Sequence, residues 1–126
     1  MNQNELKDLA EESAEFLGGF WDDEIERWVL PKGIWNFIGR TLHPKDLAYL
    51  FFNGQYAPIL MHLGKREMEK RGHSHTMYTH TDEVASYTAY VQPISASAGV
   101  VYSEHENEFI AFWSAVRDAM KGGEGE

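Results

Sequence analysis

Cysteine is absent from the 126 residues, which excludes disulfides, thiolate zinc sites and a cysteine nucleophile together. Nothing then points to an oxidising compartment, and a cytoplasmic setting, in a bacterial or virus-infected host cell, is the expectation. No apolar run approaches the ~18 residues of a membrane span. Glu5, Asp8, Glu11, Glu12 and Glu15 stand where a signal peptide would carry a basic start and an apolar run, so no leader and no membrane partner are expected. Also missing are G-x-S-x-G, the phosphate-cradling G-x-x-x-x-G-K-[ST] and G-x-G-x-x-G, and with them the common hydrolase, nucleotide and dinucleotide signals. Enzymatic activity is left open, with the balance against it.

Basic residues are scarce at the N-terminal end. Residues 1–26 hold nine acids and the single base Lys7, while the other hundred hold eleven acids and ten bases. Nearly all of the net charge of −9 therefore belongs to the first 26 residues. Such a surface repels a phosphate backbone and attracts a basic partner over about a Debye length, roughly 8–10 Å. The bland alternative is a solvated helix face that aids solubility.

What the chain does contain is aromatic and aliphatic mass: seven Phe, six Tyr and four Trp within 43% apolar residues, a globular composition. The length suits one domain with a core of its own. We read residues 1–121 as a single α+β domain and 122–126, Gly-Gly-Glu-Gly-Glu, as a flexible tail.

The first half is helical in period, with about four short helices. Leu6, Leu9, Ala10, Phe16 and Leu17 form a stripe stopped by Gly18-Gly19. Asp22 then suits the N-cap of a second helix through Ile25, Trp28 and Val29, ending before Pro31. Ile34, Trp35, Phe37 and Ile38 read as a further helical turn or two. His43-Pro44 opens a segment, Leu47 to Phe52, that is apolar nearly all round and stops at Asn53-Gly54. Pro58 begins another helix, which Gly72 closes.

Past Gly72 the period changes to two. From Glu83 to Gln92 the residues Ala85, Tyr87, Ala89 and Val91 alternate with Val84, Ser86, Thr88 and Tyr90, as in a strand. Val100 to Tyr102 is a shorter strand, and His75 to Thr81 supplies a third, so a small antiparallel sheet of two to three strands is expected. Ser103 to Glu106 has capping-box spacing. After it Phe109, Phe112, Trp113, Val116 and Met120 mark an amphipathic C-terminal helix packed on the sheet.

Two groups of residues are candidates for function. On an extended backbone the imidazoles of His73 and His75 project from one face, as the first two ligands of a zinc-like divalent transition metal do. For a third ligand, His80 is offset by an odd number and joins only across a bend or bulge, and His105, at the start of the last helix, and Asp82 or Glu83 are the other contenders. The plainer reading is a polar strand in which histidines cluster by chance. The second group is the acidic end itself: Asp8, Glu11, Glu12 and Glu15 on the first helix, with Trp21, Asp22 and Asp23 beyond it. Tryptophan is enriched where interfaces concentrate their energy, although Phe20, Trp21, Trp28, Trp35 and Phe37 also suit a core. Asp22-Asp23-Glu24 as a cation site is weaker than the same residues as caps. The basic cluster Lys65, Arg66, Lys70 and Arg71 is interrupted by Glu67 and Glu69 and has no aromatic among its bases, so no direct nucleic-acid partner is expected.

The expectation is a small acidic interaction module, a stoichiometric inhibitor or an immunity-type or phage counter-defence binder, that engages a basic protein surface. The alternative is a protein that binds metal or a phosphorylated small ligand through His73, His75 and His80, with Lys65 and Arg66 nearby. A homo-oligomer formed through the final helix or a sheet edge is a third reading.

Overall fold

Asn2 starts the first helix by accepting a hydrogen bond from the Glu5 amide on its side-chain oxygen, at 2.8 Å. In the computed structural model, which describes residues 2–34, 39–80, 86–93 and 101–124, the fold is α+β with two antiparallel three-stranded sheets. It divides into two compact units, Met1–Leu60 and Met61–Glu126.

In the first unit, α1 (Gln3–Phe16) buries Leu9, Ala10 and Phe16 of the expected stripe together with Ser13 and Ala14, while Leu6 and, just past the helix, Leu17 are half-buried. Gly18, at φ 99°, ends it in the left-handed region that glycine enters without cost. Gly19 runs so close to the chain that a β-carbon on it would lie 3.0 Å from the Ala14 carbonyl oxygen.

The second helix expected from Asp22 does not form. Its residues make a hairpin, β1 (Phe20–Asp22) and β2 (Arg27–Val29), paired Phe20 to Val29, Trp21 to Trp28 and Asp22 to Arg27. The side chain of Asp22 does bond to nearby amides, those of Glu24 at 2.9 Å and Ile25 at 3.4 Å. Those bonds hold a tight turn instead of a helix start. The turn closes through Glu26, a non-glycine residue at φ 53°. Between Gly19 and Pro31 there is room for only a short helix, which in isolation is marginal. Pairing outside the hairpin decides the matter: β3 (Thr41–Leu42) adds to β2 as Trp28 to Leu42 and Val29 to Thr41.

His43 and Pro44 behave as read. The Nδ1 of His43 accepts from the Lys45 amide at 3.1 Å, and one 3-10 turn, Pro44–Asp46, leads into α2 (Leu47–Phe52). Leu47, Leu50, Phe51 and Phe52 are buried there, and α2 packs on α1. Lys32–Ile34 is a second 3-10 turn. The helical turn expected at Trp35, Phe37 and Ile38 lies outside the described residues.

The boundary between the units falls within α3 (Ala57–Lys70), and Gly72, at φ 81°, turns the chain out of it. The second sheet is an antiparallel meander of β4 (His73–His80), β5 (Ser86–Pro93) and β6 (Val101–His105) in that order. Residues 83–85, read as the start of the middle strand, lie outside the described residues. The register Met77 to Ala89 to Ser103 and His75 to Val91 to Val101 sets one face of the sheet, and α4 (Glu108–Glu124) packs on β5 and β6.

The capping box read at Ser103 to Glu106 is not used. Ser103 and Glu104 remain in β6, opposite Ala89 and Thr88, and Asn107 caps α4 by accepting from the amides of Phe109 at 2.9 Å and Ile110 at 3.2 Å. A strand ladder that claims the backbone through His105 postpones the helix start to the next capable side chain. From Ile110 to Val116 every residue of α4 is buried, so its middle is buried all round instead of along one stripe. The helix runs on to Glu124, into the segment read as a tail.

Candidate functional site

Successive turns of α1 place Lys7, Glu11 and Glu15 on one face, four residues apart. In the first unit these three side chains line a groove of about 420 Å³ together with Trp21, Trp28 and Pro44. The hairpin supplies its aromatic wall. Because Trp21 and Trp28 are opposite one another in the β1–β2 ladder, both rings leave the same face of the strands. Their centroids are 6.1 Å apart at an interplanar angle of 62°, an edge-to-face contact. Trp28 is 3% exposed and Trp21 is 39% exposed, so one indole anchors the hairpin and the other is offered to solvent.

The Trp21 ring is held at a second point. Its Nε1–H donates to Asp23 Oδ1 at 2.7 Å, a bond to an ionised acceptor and therefore a strong one. The two aspartates named from the sequence thus have local duties: Asp22 ties the hairpin turn and Asp23 orients the indole. Glu11 contacts Lys7 at 3.8 Å, an exposed pair of small energetic weight. Glu15 is exposed and makes no ion pair or hydrogen bond through its carboxylate among the described residues. Asp8 and Glu12 lie on α1 but do not line the groove. They add negative charge to the same helix.

Lys7 and Pro44 also border a neighbouring hollow of about 580 Å³ lined by Asn4, Leu6, His43, Lys45 and Ala48 among others. The charge reverses there, with Lys7 and Lys45 and, among the described residues, no carboxylate in its lining.

Of the partner-binding residues named from the sequence, then, Glu11, Glu15 and Trp21 come together. Trp28, Pro44 and Lys7 complete the groove and were not named. The signal for Trp28 was its place seven residues after Trp21 across a turn; Pro44 is far along the chain, and only folding brings it in. Phe20, 54% exposed, sits next to Trp21 in β1 and by strand alternation points to the other side of the hairpin.

The histidines of the second unit are arranged differently. His73 and His75 do share a face of β4, but His75 turns toward α4 and its ring meets Phe112 edge-on at 6.1 Å. Burial, then the positive charge of Lys65, pushes the His75 imidazole below its ordinary value, and Glu69 opposes the shift. His73 places Nδ1 3.2 Å from the Arg71 carbonyl. His105 pairs with Tyr87, which pairs with Thr79, so it stands four residues along the sheet from the His75 row, roughly 13 Å at strand spacing. Its Nδ1 accepts from the Asn107 amide at 2.9 Å. The side chain of His80, and Asp82 and Glu83, lie outside the description. Among the described residues no three His, Asp or Glu side chains gather as a metal-ligand set.

The opposite face of this sheet is open and uncharged at Ser74, Thr76, Tyr78, Tyr90 and Gln92, with Tyr78 and Tyr90 in edge contact at 5.5 Å. Phe112 and Trp113, the aromatic centre of the final helix, are buried within the chain. Arg71 of the basic cluster pairs with Glu67 one turn earlier at 3.1 Å. Among the described residues no helix is long and apolar enough to cross a membrane. Comparison of the chain with known protein families, with curated proteins and with solved structures yields no match to any of the three.

Proposed function

We propose that the protein is an interaction module that binds a basic protein surface through the groove of Glu11, Glu15 and Trp21, in the manner of a stoichiometric inhibitor, an immunity-type protein or a phage counter-defence binder. The observation that carries this reading is the meeting, in one concavity, of an exposed, pinned indole with Glu15, which has no ion pair among the described residues, and with Glu11, whose partner Lys7 is held only at 3.8 Å. Exposed aromatics of this kind supply affinity where interfaces concentrate their energy. The surrounding acids of α1 and the hairpin supply a long-range field that speeds encounter with a cationic partner. No step of the reading requires a metal, a cofactor or a reaction.

The test is capture from the native cell, or its host, with the wild-type chain and with a triple variant, Glu11→Lys, Glu15→Lys and Trp21→Ala. The wild type is expected to retain a basic protein in stoichiometric amount, with association that slows as salt rises. The variant is expected to lose it. A partner retained equally by both, with an unchanged association rate, removes the reading.

A further inference from the structure

We propose that the groove at Trp21 is built for the guanidinium group of an arginine side chain, presented by the partner as its anchor. The inference rests on the interaction reading above and names the side chain which that reading leaves open.

The indole supplies the first argument. With its Nε1–H committed to Asp23 at 2.7 Å and an edge against Trp28, Trp21 has no donor left for a carbonyl or carboxylate guest. What it presents is ring face, and indole is the side chain whose face attracts a cation most strongly. The ring is also held in place before any guest arrives, which lowers the ordering cost of binding.

The carboxylates supply the second. Glu11 and Glu15, one helical turn apart, line the same groove as that ring. Glu15 is exposed and has no ion partner among the described residues, and the exposed 3.8 Å contact of Glu11 with Lys7 is readily exchanged. A planar guanidinium can stack on an aromatic face while its N–H fork donates to a carboxylate beside it, and it is weakly hydrated. An ammonium is compact and strongly hydrated, and gains less from the same surroundings. Pro44 and Trp28 give the groove apolar lining against which the methylene stem of arginine can rest. A trimethylated ammonium is better served by a cage of several open rings, and here only one of the two indoles is open to solvent.

The experiment follows the four indole N–H signals of the chain by NMR, with Trp21 assigned by Trp21→Phe. Arginine amide, lysine amide and tetramethylammonium are the probes, at low salt. Arginine amide is expected to shift the Trp21 signal saturably in the low millimolar range, roughly tenfold tighter than lysine amide. Glu15→Gln, an exposed change on a helix surface, is expected to weaken arginine amide about threefold while leaving the melting temperature in place. Absence of a saturable shift with arginine amide, or binding of lysine amide or tetramethylammonium as tight as that of arginine amide, overturns the proposal. If the arginine probe fails while the triple variant still loses the captured partner, the anchor is wrong and the interaction surface stands; if the partner is retained as well, both fall.

Discussion

Gly64 sits in the middle of α3 with no space above it. A β-carbon built there would lie 2.6 Å from Trp113 Cη2, 3.0 Å from Phe112 Cε2 and 3.1 Å from Trp113 Cζ2. Gly64→Ala therefore sets two effects of opposite sign against each other. Alanine improves the helix by about 1 kcal/mol, because glycine in a helix interior loses the most backbone freedom. The same methyl group invades a ring that is 1% exposed and packed edge-on against Phe112 at 5.0 Å. Neither ring is the free end of a flexible chain, so relief requires a shift of α4 or an off-rotamer tryptophan, and overpacking of this kind costs about 1–3 kcal/mol. The approach is several tenths of an ångström inside any ordinary contact, which places the cost in the upper part of that range. The net expectation is a loss of about 1–2 kcal/mol, and a fall in melting temperature of about 3–8 °C for a chain this size.

Urea and thermal unfolding followed by circular dichroism measure it. The double variant Gly64→Ala with Trp113→Phe checks the cause. Trp113→Phe alone opens a cavity and destabilises, but in its presence the methyl group has room, so the two losses should fall short of additive by about 1 kcal/mol or more. A Gly64→Ala protein as stable as the wild type, or losses that simply add, would refute the reasoning and show that α3 and α4 slide apart freely.

Two further outcomes test other parts of the fold. Asn107→Ala removes the cap of α4 and is expected to cost about 1 kcal/mol, while Ser103→Ala, at the cap position suggested by sequence spacing, is expected to change stability by less than about 0.5 kcal/mol; equal losses in denaturant unfolding would return the helix start to Ser103. Because burial and Lys65 hold the His75 imidazole below its ordinary value of 6.5, the folded chain binds fewer protons than the unfolded chain in that range. The stability this ring contributes is complete above pH 6.5 and is lost as pH falls through the folded value. Melting temperatures from pH 7.5 to 5 should thus decline more steeply for the wild type than for His75→Leu, and parallel curves would show that the ring is not held neutral.

Much of the fold was legible in residue order because local rules and tertiary packing agree there. The stripe of Leu9, Ala10 and Phe16, the His43-Pro44 start, the glycine stops at 18, 54 and 72, and the two-residue alternation from Ser86 to Gln92 appear where periodicity and turn chemistry place them. The candidate site was legible only in part. Charge placement pointed to Glu11, Glu15 and Trp21, but a groove needs a second wall: Trp28 is marked only by its spacing from Trp21, which counts once the segment between them is a turn, and Pro44 carries no local mark of belonging to it.

The hairpin at Phe20 to Val29 shows where residue order ceases to decide. Ile25, Trp28 and Val29 fit a helical face by spacing, and Asp22 fits a helix cap as well as it fits a turn. The choice falls to β3, since only pairing with Thr41 and Leu42 completes a ladder that a short helix cannot match. The start of α4 is decided in the same way, by strand pairing that holds Ser103 to His105 in β6 and leaves Asn107 as the cap. Alone, the sequence determined the class of fold, the absence of thiol chemistry and the position of the charge, because composition, period and turn residues act over a few neighbours. Tertiary structure decided which aspartate holds a turn, which tryptophan faces water and which carboxylates share its groove, because those depend on partners distant in the chain.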